Sequence, residues 1–291
     1  FTSESCCENP DRARGHGCWN LHYSYEHCCL EPYKPSRLCS EAKTPEDQLW
    51  HCRARPSEDM TQCLTVDNVG SDGWGIVNVA YKTYEDYVRV QQSRAKLHLE
   101  GNNLWSHTAA VIAVYLERHF ALKPRSESLR GLCHGAKTGK EIRMLREAIA
   151  NRSAFTSTAL LGTDITEEAV ALSGGDVVRM DFHDVRADWY GHWDFIYSNA
   201  FDHSPRPWEA VRVWHGQLHK PDGVLILGHT LCHHRNTIDA VDVYGSTAGE
   251  ACLLLKKNGY EILDVVRIPS FVNGTFRPDD LIFARPRDLE G

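Results

Sequence analysis

The chain has 291 residues, 42% hydrophobic and 24% charged, with 11 cysteines and a formal net charge of −7 when its 16 histidines are counted as neutral. These are globular proportions, and they exclude a disordered or collagen-like chain. The acidic balance excludes a general nucleic-acid binder, which needs clustered Lys and Arg, and no apolar run reaches the length of a membrane span.

Eight of the cysteines (Cys6, Cys7, Cys18, Cys28, Cys29, Cys39, Cys52 and Cys63) fall before residue 64. No C-x-x-C knuckle occurs among them, so a tetrahedral zinc site is not the expected reading. Residues 1–70 instead read as a loop-rich module stapled by disulfides, which implies an oxidising, secretory or lumenal compartment. The first residue, Phe1, is not Met, and a processed or trimmed N-terminus is expected. The sequons Asn151-Arg152-Ser153 and Asn273-Gly274-Thr275 fit the same route but arise often by chance.

Helical spacing predicts a helix over 76–98, with Val79, Tyr84, Tyr87, Val90 and Leu97 on one side, and another over 107–120. Residues 71–124 read as a helical connector that packs on the following domain, and Tyr81, Tyr84 and Tyr87 as core packing. From residue 128, strands alternate with helices. Strands are expected at 128–133, 158–165, 177–180, 195–198, 223–228, 261–268 and 280–284, and helices at 140–150, 167–171, 209–218 and 248–258. This alternation predicts a doubly wound α/β domain over 125–291, its sheet mostly parallel. The last two strands have no helix between them and should pair antiparallel.

In such a sheet ligands bind beyond the carboxyl ends of the strands. Four segments should meet there. The first is Leu132-Cys133-His134-Gly135-Ala136-Lys137-Thr138-Gly139-Lys140-Glu141, in which Gly135 and Gly139 would let the backbone approach a ligand. The second is Gly162-Thr163-Asp164-Ile165, whose carboxylate lies 25 residues after Gly139 and suits a pair of ribose hydroxyls. The third is Met180-Asp181-Phe182-His183-Asp184, where Asp181 could take an adenine amino group beside the Phe182 ring. The fourth runs from Asp194 through Ser198, Asn199, Asp202 and His203. A dehydrogenase would need Gly-x-Gly-x-x-Gly, which is absent, and a phosphate loop would need Ser or Thr after Lys140. Cys133 reads as a buried strand residue rather than a nucleophile, and Cys232 and Cys252 as either a disulfide or core thiols.

With these four segments in this order, residues 125–291 resemble the class I S-adenosylmethionine-dependent methyltransferases. The resemblance implies a Rossmann-like, seven-stranded sheet whose last strand is antiparallel. It also implies S-adenosylmethionine as cofactor and S-adenosylhomocysteine as product. Carried onto this sequence, it assigns His134, Gly135, Gly139 and Glu141 to the methionine end, and Asp164 with Ile165 to the ribose. Asp181 and Phe182 fall to the adenine, and Ser198 and Asn199 to the border with the acceptor. The form Cys133-His134-Gly135-x-x-x-Gly139-x-Glu141, with Asp181-Phe182-His183-Asp184 and Tyr197-Ser198-Asn199-x-x-Asp202-His203, is similar to sugar-modifying methyltransferase domains of algae and their viruses. The first motif departs from the family's usual acid followed by Gly-x-Gly.

Methylating a hydroxyl requires a base near the fourth or fifth strand, and Asp202, His203 and His229 are the candidates. A divalent ion on Asp202, His203, His229 or Asp239 lacks a fixed-spacing motif, and no metal ligand is assigned. Trp19, Trp74, Trp105, Tyr190, Trp193 and Trp208 could stack on sugar rings, although core packing explains most of them equally well. The expected activity is O-methylation of a sugar or glycan hydroxyl in the secretory pathway. The alternatives are a small-molecule or protein acceptor, and a binding protein on a methyltransferase-like fold that has lost catalysis.

Overall fold

Phe195-Ile196-Tyr197-Ser198 is buried at all four positions, which only a strand covered on both faces achieves. It lies in the middle of a sheet in a computed structural model that describes residues 76–77, 81, 83–97, 104, 106–121, 128–152, 155, 157–230, 242–268, 271–272, 275–276 and 279–287. The cysteine-rich stretch 1–70, Cys232, Asp239, Trp74 and Trp105 lie outside the described residues.

In chain order the elements are β1 (Ile76–Val77), α1 (Tyr84–Leu97), α2 (Ser106–Phe120), β2 (Ser128–His134), α3 (Lys140–Ala150), β3 (Ser157–Asp164), α4 (Glu167–Leu172), β4 (Val177–Arg179) and β5 (Phe195–Ser198). They continue as α5 (Pro207–Gln217), β6 (Val224–Thr230), β7 (Tyr244–Gly245), α6 (Ala248–Lys257), β8 (Tyr260–Ile268), β9 (Phe271–Val272), β10 (Thr275–Phe276) and β11 (Asp279–Pro286). Single 3₁₀ turns, Ala187–Trp189 and Phe201–His203, flank β5.

The main sheet has seven strands in the order β4-β3-β2-β5-β6-β11-β8. β2 pairs in parallel with β3 on one side and with β5 on the other, so the winding reverses at β2. β11 enters antiparallel between β6 and β8, as the missing helix before it requires. Its register against β8 places Asp280 opposite Arg267, and the two form a bidentate pair at 2.8 and 2.9 Å.

Successive residues of the central strands go to opposite faces. Cys133, Tyr197, Ile226 and Phe283 pack on α2 and α3, and Leu132, Ile196, Leu225 and Ile282 pack on α5 and α6. On α3 the buried residues Ile142, Leu145 and Ile149 follow a helical spacing. α2 buries Val111, Ile112, Leu116 and Phe120 in the same cluster as the strands, which makes it one of the layers covering the sheet.

The helix predicted over 76–98 starts at Tyr84. The Thr83 hydroxyl accepts from the Asp86 N–H at 3.1 Å and the Asp86 carboxylate accepts from the Thr83 N–H at 3.2 Å, a capping box that fixes the start. Upstream, Ile76–Val77 pairs antiparallel with Tyr244–Gly245 instead of continuing the helix.

Candidate active site

The carboxyl ends of β2, β3, β4 and β5 open onto one edge of the sheet, and the predicted residues collect there. Between β2 and α3 the chain takes three left-handed residues, Gly135 (φ 72), Lys137 (φ 47) and Gly139 (φ 75). The glycines answer to the protein itself. A Cβ on Gly135 would stand 2.4 Å from the Ala200 Cβ, and one on Gly139 would stand 3.0 Å from Asp176. Backbone conformation and close packing between loops thus call for glycine at both positions.

Asp164, the last residue of β3, ties that loop to the next helix. One carboxylate oxygen accepts from the Lys137 N–H at 2.9 Å and the other from the Thr166 N–H at 2.8 Å. Ile165 beside it is half-buried, and its carbonyl accepts from Gln92 of α1 at 3.4 Å.

His134 and Glu141 turn inward. The His134 ring stacks on Trp214, with Nδ1 2.9 Å from the Thr163 hydroxyl and Nε2 3.0 Å from Gln217 Oε1. Burial lowers its pKa to about 3 against the opposing Gln217 hydrogen bond, so the ring is neutral. Glu141 is buried on the first turn of α3. Its charge adds to the burial that pushes the Cys133 thiol and the Tyr197 phenol upward, which keeps Cys133 a thiol rather than a nucleophilic thiolate.

Past β4, one oxygen of the buried Asp181 accepts from the His183 N–H at 2.8 Å and from its Nδ1–H at 2.6 Å. That tautomer leaves His183 Nε2 to accept from the Ser204 hydroxyl at 2.7 Å. The second Asp181 oxygen accepts from the Tyr84 hydroxyl of α1. Phe182 packs edge-on against Trp214 and near His134, in the layer beneath the site.

After β5, the Ser198 hydroxyl donates to the His134 carbonyl at 3.2 Å, and the Asn199 side chain fills the space above Gly228, where a Cβ would meet it at 2.6 Å. The 3₁₀ turn then presents Asp202 and His203. Burial raises the Asp202 pKa above the usual carboxylate range, with His203, His229 and Lys137 opposing. His203 stands between two carboxylates, Nδ1 3.5 Å from Asp242 and Nε2 4.0 Å from Asp202. His229 points its Nε2–H at the Ser246 carbonyl, 2.9 Å away, and a small cavity lined by Phe201, Asp202, Leu227, His229 and Tyr244 separates it from the turn. Asp202, His203 and Asp242 each offer a ligand atom, all within 4.8 Å of one another. Asp242 is the acid that joins the pair among the described residues.

Of the tyrosines expected in the core, Tyr87 is buried, but Tyr84 is exposed and its hydroxyl reaches Asp181. Tyr81, Tyr84 and Tyr87 cluster with ring centroids 5.5 and 5.7 Å apart, Tyr84 and Tyr87 being one helical turn apart. Burial and Tyr81 raise the Tyr87 phenol pKa, Arg206 opposes, and the charges of Asp202 and Asp164 add to the rise. Of the aromatics named as sugar platforms, Trp193 is buried against Trp189, and the exposed Tyr190 sits by Gly216 at the opposite edge of the sheet. Trp208, at the start of α5, is 39% exposed on the site's side.

The strand order, the antiparallel β11 and the acids at successive strand ends define the class I methyltransferase fold. No family model matches the chain, and no curated protein matches it in sequence. Among solved structures it is similar to the 1,6-didemethyltoxoflavin-N1-methyltransferase of Burkholderia thailandensis, which holds 1,6-didemethyltoxoflavin and S-adenosylhomocysteine. That match has 17% identity and a TM-score of 0.51, and covers 73% of this chain and 94% of that one. It is also similar to the CurJ carbon methyltransferase at 13% identity and a TM-score of 0.49, covering 66% of this chain and 58% of the length of that protein. A putative sarcosine dimethylglycine methyltransferase from Galdieria sulphuraria matches at 17% identity and a TM-score of 0.48, over 62% and 85% of the two chains. Among the described residues no helix is long and apolar enough to cross a membrane.

Proposed function

We propose that the chain is an S-adenosylmethionine-dependent O-methyltransferase acting on a sugar or glycan hydroxyl in a lumenal compartment. The observation that carries the cofactor reading is Asp164. Two backbone amides fix its carboxylate at the strand end, and each oxygen, with one such bond, can accept again from a ribose hydroxyl. The 135–139 turn would hold the methionine end, Asp181 the adenine amino group, and Ser198-Asn199 the border with the acceptor. When bound, the cofactor supplies an electrophilic methyl group and a neutral thioether leaving group.

What remains for the protein is to align an acceptor oxygen and take its proton. Asp242 near Nδ1 favours the tautomer with its proton there, which turns the basic Nε2 of His203 toward the Asp202 side. Asp202, its pKa raised by burial, shares the proton with His203, and His229 across the cavity orients the acceptor. Trp208 on the rim offers a ring face to a sugar. The eight cysteines before residue 64 support the lumenal setting. A small-molecule acceptor is the second reading, favoured by the didemethyltoxoflavin held in the Burkholderia structure.

Calorimetry of the full chain with S-adenosylhomocysteine tests the cofactor assignment, and absence of binding rejects it. Labelled S-adenosylmethionine offered with a glycan panel and a small-molecule panel then separates the two acceptors. Alkylation of the non-reduced protein reads the compartment, because eight reactive thiols before residue 64 would reject a disulfide framework.

A further inference from the structure

We propose that Tyr84 is a gate for the cofactor: its hydroxyl holds, on Asp181, the position that the adenine amino group must take. This rests on the reading of Asp181 as the acid that recognises adenine. One Asp181 oxygen is committed to His183, through both its backbone N–H and Nδ1–H, and His183 is locked in turn by the buried Ser204. The oxygen left for an incoming donor is the one on which Tyr84 sits.

The way Tyr84 is held suits a part that moves aside. Tyr84 is 42% exposed although its hydroxyl reaches a carboxylate that is only 9% exposed. Around it, α1 is attached to its neighbours by polar contacts: the half-buried Gln92 to the Ile165 carbonyl at 3.4 Å, the exposed Lys96 to Glu168 of α4 at 2.5 Å, and Arg206 over the Tyr84 ring at 5.5 Å. The exposed ion pair contributes little. Tyr87, one turn along, is buried and anchors the helix. Exchange of Tyr84 for adenine replaces one donor by another on the same oxygen, so Asp181 is left unpaired neither before nor after. The hydroxyl thereby covers the adenine position on Asp181 and weakens cofactor binding by the strength of the bond it must give up.

The test is calorimetry with S-adenosylhomocysteine on the full chain and on its Tyr84→Phe, Asp181→Ala and doubly substituted forms. Tyr84→Phe keeps the ring and its contacts with Tyr87 and Arg206 but removes the competing donor. It should bind about tenfold tighter than the parent, corresponding to one charge-assisted hydrogen bond. In the Asp181→Ala background the same substitution should change the affinity by less than about twofold. In the parent chain, ligand should also speed amide hydrogen exchange in the first turn of α1. Unchanged or weaker binding by Tyr84→Phe overturns the gate while leaving the cofactor assignment intact. An equal gain in the Asp181→Ala background also overturns it, because the effect would then not pass through Asp181. Failure of every form to bind removes the cofactor reading and the gate together.

Discussion

The His134 imidazole lies on the Trp214 indole with ring centroids 5.0 Å apart and planes inclined by 15°, sealed between β2 and α5. Burial disfavours the charged form of a ring so placed, and its pKa falls to about 3. An unfolded histidine titrates near 6.5, so the native state binds fewer protons than the unfolded state between these values. The stability this residue contributes is complete above about pH 6.5 and is lost as pH falls toward 3. Urea unfolding should show about 2 kcal/mol lost from this group between pH 7 and pH 5. His134→Gln should be less stable at pH 7 but lack that part of the slope. An equal slope in both proteins would contradict the assignment.

The sheet was legible because each central strand is an apolar run whose neighbours go to opposite faces, and because Lys220-Pro221-Asp222-Gly223 and Gly259 mark where elements begin and end. Asp164, Asp181 and Asp202 were legible for the same reason, since an acid just past a buried strand has only the strand end to occupy. Asp242 was not, because the stretch before β7 has no periodicity to locate it. Tyr84 and Tyr87 carried the visible spacing of a buried helix face, but spacing along one helix does not say which edge of a distant sheet that face will cover. The packing of His134 was not legible either. Its place at the end of β2 does not reveal its partners Thr163 and Gln217, which are distant in sequence.

Asp164 couples two loops through one carboxylate, which makes Asp164→Asn informative. An amide has one acceptor oxygen, so its NH₂ would face the N–H of either Lys137 or Thr166. The expected cost is about 1–3 kcal/mol of stability, the range for leaving a buried donor unsatisfied. Urea unfolding measures it, and affinity for S-adenosylhomocysteine should fall by at least about tenfold in the same variant. Full stability with full affinity would contradict the role of this carboxylate in both.

Asp202 should trade stability for function. Burial raises its pKa, so the folded protein holds this proton more tightly than the unfolded chain. The sign is the reverse of an ion-paired carboxylate: the residue costs nothing in acid, and its cost grows as pH climbs above the ordinary carboxylate range near 4. Asp202→Asn should therefore raise Tm by about 2–4 °C at pH 7 and leave it unchanged near pH 3. The same variant should bind S-adenosylhomocysteine normally and lose methyl transfer. A lower Tm at pH 7 would mean that the ionised carboxylate is held by compensating partners.

Gly135 meets two constraints at once, and they can be separated. Its φ of 72 is left-handed, which alone costs an alanine about 1 kcal/mol, and its Cβ would stand 2.4 Å from that of Ala200. Gly135→Ala should thus destabilise by about 2–4 kcal/mol, more than the backbone term explains. Ala200→Gly removes the colliding atom but not the dihedral strain, so the double variant should recover at least about 1 kcal/mol relative to the sum of the singles. Additive losses would mean that the β2 and β5 loops can separate without cost. Because Gly135 and Ala200 border the acids on either side, such separation would also loosen the spacing between Asp164 and Asp202. A rescue in stability accompanied by recovered affinity for S-adenosylhomocysteine would tie the packing of these two small residues to the geometry of the site.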